Sequence, residues 1–155
     1  MEISEIEYTL ENCELFKGLG KENIEEISRL CRIESFGAGE YVFHQGDFGE
    51  YIYIVAEGQL FLQRSIDLGS RKGNAVIGVL GRGRAFGCWS GILGRPHHLM
   101  SSAICKKDLK VVALNGTDLR GLLLDDVKLG FRVLENLCFL LRTRIQGVLG
   151  AMERV

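Results

Sequence analysis

The stretch FGCWSGILGRPHH, Phe86 to His98, gathers side chains with more capacity for chemistry than any other part of the chain. Cys88 offers a thiol, His97 and His98 offer adjacent imidazoles, and Arg95 stands between them. A thiol with an imidazole base is the minimum for a cysteine nucleophile. Thiolate and imidazole are also competent axial ligands for a haem iron. Arg95, with Arg82 and Arg84 before the turn, supplies the positive charge that an anionic ligand needs.

The first two chemistries are weakly patterned. No third group orients a base, and no CxxCH signal accompanies the cysteine. The five cysteines (Cys13, Cys31, Cys88, Cys105, Cys138) form no CxxC or CxxH pair and are odd in number. That usage fits reduced cytoplasmic thiols rather than a disulfide framework, a zinc site or an iron–sulfur site. The expectation is a non-enzymatic protein with no metal.

The elements that must position this loop follow from periodicity. A chain of 155 residues supports one sizeable core. Helical spacing links Ile3, Ile6, Leu10 and Cys13, then Ile24, Ile27 and Leu30 beyond Gly18 and Gly20. From Cys31 the period shortens, and strands are predicted at 41–43, 51–55, 59–63, 75–80, 102–105 and 110–114, separated by glycine-bearing turns. Short strands punctuated in this way predict an antiparallel barrel or roll. TDLRGLLL then predicts a short helix with Thr117 as its N-cap.

A long helix is predicted from about Asp126. Val127, Phe131, Leu134, Cys138, Leu141, Ile145, Val148, Met152 and Val155 recur at alternating steps of four and three. That 3.5-residue period is a coiled-coil seam. Val133, Leu137 and Leu140 form a second stripe, so one face can cover the roll while the other meets a second copy. The helix would be roughly 40 Å long, more than a small roll needs to cover itself. Gly147 and Gly150 weaken its far end, and Arg142 and Arg144 read as a solvated face.

Net charge is −1, which gives no global attraction to nucleic acid or to an anionic membrane. The apolar run VLENLCFLLRTRIQGVLGAM is interrupted by Glu135, Arg142 and Arg144 before it could span a bilayer. The acidic start MEISEIEYTLENCELF has no secretory pattern. Cytoplasmic localisation without membrane attachment is expected.

The segment FGAGEYVFHQGDFGEYIYIVAEGQLFL resembles the cyclic-nucleotide-binding domain, in particular the sensor half of the Crp/Fnr regulators. Gly39-Glu40, Gln45-Gly46-Asp47, Tyr53-Ile54-Val55 and Gly58 carry the match. LFKGLGKENIEEI resembles the family's entry segment, and LLLDDVKLGFRVLENL its passage into the dimer helix. The resemblance implies a mainly β jelly-roll (double-stranded β-helix) with flanking helices over 1–125 and a dimerisation helix of the same domain over 126–155. Phe131, Leu134, Cys138, Leu141, Ile145 and Val148 would form the homodimer seam. The family's helix-turn-helix has no counterpart within these residues, so direct DNA binding is not expected of them.

In the family, the Phe-Gly turn opens a short helix whose backbone N–H groups face the cyclic phosphate. A glutamate accepts from the ribose and an arginine pairs with the phosphate. Here Phe86 and Gly87 are retained, but Cys88 takes the glutamate position and His97 or His98 the arginine position. A thiol is a weak acceptor, and an imidazole lacks the planar fork. Two lost charge-assisted bonds of about 1.5–3 kcal/mol each lower affinity by about two to four orders of magnitude.

The resemblance therefore implies an altered phosphate cassette of Phe86, Gly87, Cys88, Trp89, Ser90, Arg95, His97 and His98. Leu62, Ile77 and Leu80 are expected beside Phe86 and Trp89 on the pocket wall. The expected function is a small-molecule sensor that binds cAMP or cGMP weakly or not at all, acting through an unknown protein partner. Two alternatives use the same residues. One is a scaffold whose pocket is filled by Trp89 and Met100; the other is a haem-based sensor using Cys88 and a histidine.

Overall fold

The computed structural model describes residues 2–95 and 97–153. The side chain of Ile3 and all of Val155 lie outside the described residues. Two helices, α1 (Glu2–Glu11) and α2 (Lys21–Ser28), bury Ile6, Leu10, Ile24 and Ile27, as their spacing requires.

Among the described residues ten strands follow: β1 (Cys31–Phe36), β2 (Tyr41–Phe43), β3 (Phe48–Gly49), β4 (Tyr51–Glu57), β5 (Leu60–Asp67), β6 (Lys72–Leu80), β7 (Ala85–Gly87), β8 (His97–His98), β9 (Ser102–Cys105) and β10 (Leu109–Asn115). The six predicted strands are β2, β4, β5, β6, β9 and β10. Pairing adds β1, β7 and the two-residue ladder of β3 with β8. All pairings are antiparallel, with orders β1-β10-β4-β7 and β2-β9-β5-β6. The arrangement is the jelly roll.

Alternation along the central strands divides the core in two. On β4, Ile52 and Ile54 face the helices, and on β10 so do Val112 and Leu114. Val55 and Val111 turn into the roll, where they meet Leu60, Leu80, Phe86 and Leu109. One sheet is thus covered on both faces, which accounts for its nearly continuous apolar runs.

Asn115, not Thr117, caps the next helix, α3 (Gly116–Asp125). Its side-chain oxygen accepts from the backbone N–H of Thr117 at 2.8 Å and of Asp118 at 3.2 Å. The residue that leaves β10 is still extended, and this is the conformation an N-cap needs; Thr117 is already helical. The last described helix, α4 (Val127–Glu153), starts where Asp126 Oδ1 accepts from Leu129 N.

The buried stripe of α4 packs on the roll. Leu129, Val133, Leu137 and Leu140 are buried, each contributing about 1.5–3 kcal/mol. Asn136 lies among them and donates to the carbonyls of Leu15 and Lys17, both at 3.0 Å. The first half of the seam faces outward, with Phe131 69% exposed, whereas Leu141 and Val148 are half-buried. Gly147 has a packing reason, since a Cβ there would lie 2.9 Å from the Ile77 carbonyl oxygen. The far end of α4 approaches β6 that closely only because the side chain is missing.

Candidate ligand site

Beneath the far half of α4 lies a cavity of about 430 Å³. Leu62 of β5, Ile77 of β6 and Phe43 of β2 form part of its wall, with Phe86, Gly87 and Trp89 alongside. Phe86 stacks on Tyr53 with ring centroids 5.2 Å apart and lies 5.9 Å from the Phe43 ring. Burial pushes the Tyr53 hydroxyl up to about 12 and keeps it neutral. Leu141, Ile145, Val148 and Leu149 close the cavity from α4. Trp89 and Met100 lie on its wall without filling it, and Met100 is 70% exposed.

The loop's backbone is held from two sides. Gly87 has φ +122°, and a Cβ there would lie 2.5 Å from the Tyr51 carbonyl oxygen. Only glycine fits where β7 leaves β4. A single 3-10 turn, Trp89–Gly91, follows and rests on α3, where Arg120 donates to the Ile92 carbonyl at 2.7 Å. The loop, α3 and α4 are therefore mechanically continuous.

The remaining cassette residues turn away from the cavity. Cys88 is buried, with Sγ 2.9 Å from Ser90 Oγ, and it donates to the His97 carbonyl at 3.6 Å. His97 and His98 are drawn into the β3–β8 ladder with exposed side chains. The Nδ1 of His98 engages the Gly46 carbonyl at 2.9 Å, and that of His97 engages the His98 carbonyl at 3.1 Å. Arg95 is exposed beyond the turn, and Leu80 packs opposite Leu60 in the roll's core. Cys88, Ser90, Leu80, Arg95, His97 and His98 are absent from the cavity wall. No group of three His, Cys, Asp or Glu among the described residues is placed to hold a metal.

The cations at the cavity are Arg64 and Arg144, which sequence reasoning missed. Arg144 is no solvated residue: its side chain is 15% exposed and pairs with Glu14 at 3.0 Å. It also donates to the Ala85 carbonyl. The signal was present, because Arg144 stands one turn after Leu140 on the buried stripe. Arg64 likewise stands two residues after Leu62 along β5, at the spacing of one sheet face. Arg142, by contrast, is exposed above the Phe139 ring.

An antiparallel roll with a side cavity closed by a long helix defines the class of fold. The cyclic nucleotide-binding domain model matches residues 33–126, and the chain belongs to that family. The cyclic AMP receptor protein of Thermus thermophilus is 31% identical over 100 residues, which are 64% of this chain and 44% of that protein. The aligned region thus spans less than half of the relative's length. The crystal structure of the Thermus thermophilus catabolite activator protein matches at 29% identity and TM-score 0.67, covering 86% of this chain and 58% of that one. A cyclic nucleotide-binding domain from Methylobacillus flagellatus superposes with TM-score 0.77 at 23% identity, covering 99% and 82% of the two chains. The regulatory domain of Toxoplasma gondii PKA, crystallised with cAMP, gives 0.67 at 23% identity over 79% and 45%.

Proposed function

We propose that this chain is a ligand-responsive, homodimeric regulatory module that performs no catalysis. A second copy pairs along the α4 seam, and a small-molecule effector occupies the cavity behind it. The observation that carries the reading is a sharing of residues. Leu141, Ile145 and Val148 belong both to the seam and to the cavity wall. An effector that binds two helix arrangements unequally shifts the surface offered to a protein partner.

Cyclic nucleotides are poor effectors on this reading. Cys88 supplies no carboxylate, and neither histidine supplies a guanidinium at the loop. The scaffold alternative requires a filled pocket, and the open cavity weighs against it. A haem sensor requires Cys88 and an imidazole on one centre, and their separate hydrogen-bond partners weigh against that. No DNA contact is assigned to these elements. The unpaired thiols suit the cytoplasm.

Sedimentation velocity tests the assembly. Wild type is expected at the mass of two chains, and Phe131→Glu at the mass of one with an unchanged circular dichroism spectrum. A monomeric wild type at tens of micromolar would overturn the reading.

A further inference from the structure

The cavity wall itself selects a ligand chemistry. Leu62, Ile77, Phe86 and Trp89 on one side and Leu141 and Ile145 on the other present hydrocarbon and aromatic surface. The polar side chains on the wall are Arg64, Ser101 and Arg144, with no carboxylate among them. Arg144 is held by the Glu14 carboxylate, which it shares with Arg84, and by the Ala85 carbonyl. Arg64 is different: it donates to the Met100 carbonyl and pairs with no carboxylate among the described residues. One guanidinium without a carboxylate partner, with Ser101 on the same wall of an apolar chamber, matches one acid group on an apolar body.

We propose that the cavity takes an amphipathic monocarboxylate, with its acid on Arg64 beside Ser101 and its apolar body between Trp89 and α4. The proposal rests on the cavity being the effector site. A cyclic nucleotide would press ribose hydroxyls and purine edges against hydrocarbon that cannot hydrogen-bond them. A dicarboxylate would bury its second charge unpaired. A neutral apolar molecule would leave Arg64 without the partner that the acid supplies.

Trp89 is the chain's single tryptophan, so its emission reports on this wall alone. Titrations of the full chain with decanoate, decan-1-ol and cAMP test the proposal. Decanoate is expected to change the emission saturably, with decan-1-ol at least tenfold weaker. Arg64→Gln, at an exposed position, is expected to keep the melting temperature while weakening decanoate about tenfold and leaving decan-1-ol unchanged. Equal affinities for acid and alcohol, or an Arg64→Gln variant that binds decanoate normally, would overturn the assignment. A saturable response to cAMP alone would overturn the acid and leave the effector cavity standing. Silence towards all three ligands would count against both.

Discussion

Arg144 on α4 donates through Nη2 to Oε2 of Glu14 at 3.0 Å, across 130 residues of chain. The same carboxylate oxygen accepts from the backbone N–H of Ala85 at 2.8 Å, immediately before Phe86 and Gly87. One carboxylate therefore ties the helix that closes the cavity to the strand that leads into the loop after Gly87. Arg84 reaches its other oxygen at 3.3 Å.

Removing Glu14 leaves the mostly buried Arg144 guanidinium, 15% exposed, without its carboxylate, whereas removing Arg144 leaves Glu14 with Arg84. Glu14→Gln is expected to cost about 2–4 kcal/mol in urea unfolding, and Glu14→Gln/Arg144→Met less than the sum of the single changes. Single variants within about 0.5 kcal/mol of wild type would show that the tie has no structural weight.

Cyclic nucleotide should leave the melting temperature unchanged. A dissociation constant near 10 μM would add about 2.7 kcal/mol at 1 mM ligand, a shift of several degrees for a chain of this size. Scans with 1 mM cAMP, with cGMP and AMP as controls, are expected to overlay the ligand-free scan. A cAMP-selective shift would mean that the loop's backbone, with Arg64 on the cavity wall as counter-charge, suffices without the family's glutamate and arginine. Arg64→Gln would then abolish it.

Alkaline pH should weaken the fold in a defined window. Burial pushes the Cys13 and Cys31 thiols from 9.0 up to about 12. Between those values the folded chain keeps protons that the unfolded chain releases, so stability falls as pH rises from about 9 towards 12. Each thiol steepens the fall by up to about 1.4 kcal/mol per pH unit. Urea midpoints are expected to hold steady from pH 7 to 8.5 and drop above 9, less steeply in Cys31→Ala. A midpoint that stays level to pH 10.5 would contradict this.

The roll was legible because its apolar runs and glycine turns are local signals, and six strands fall where periodicity puts them. β1 alternates Arg32 and Glu34 with Ile33, and its assignment depends on pairing with β10 rather than on its own pattern. β7 and the β3–β8 ladder are too short to carry a period and exist through their partners. The buried stripe of Val133, Leu137 and Leu140 was readable, yet Arg144 was misread because residue type outweighed position. The direction in which the side chains after Gly87 turn was not legible. Chain pairing at His97 and His98 decided which way those side chains turn, and no spacing rule encodes that.

The central claim, two copies meeting along the α4 seam, has a built-in reporter. Among the described residues Cys138 is the exposed cysteine, and it occupies a seam position. In a parallel symmetric pair each Cys138 faces its counterpart. Mild oxidation of wild type, run on a non-reducing gel, is expected to give a reducible band of two chains that Cys138→Ser abolishes. A chain that stays single under oxidation, while Cys138 still reacts with a maleimide, would contradict the parallel seam.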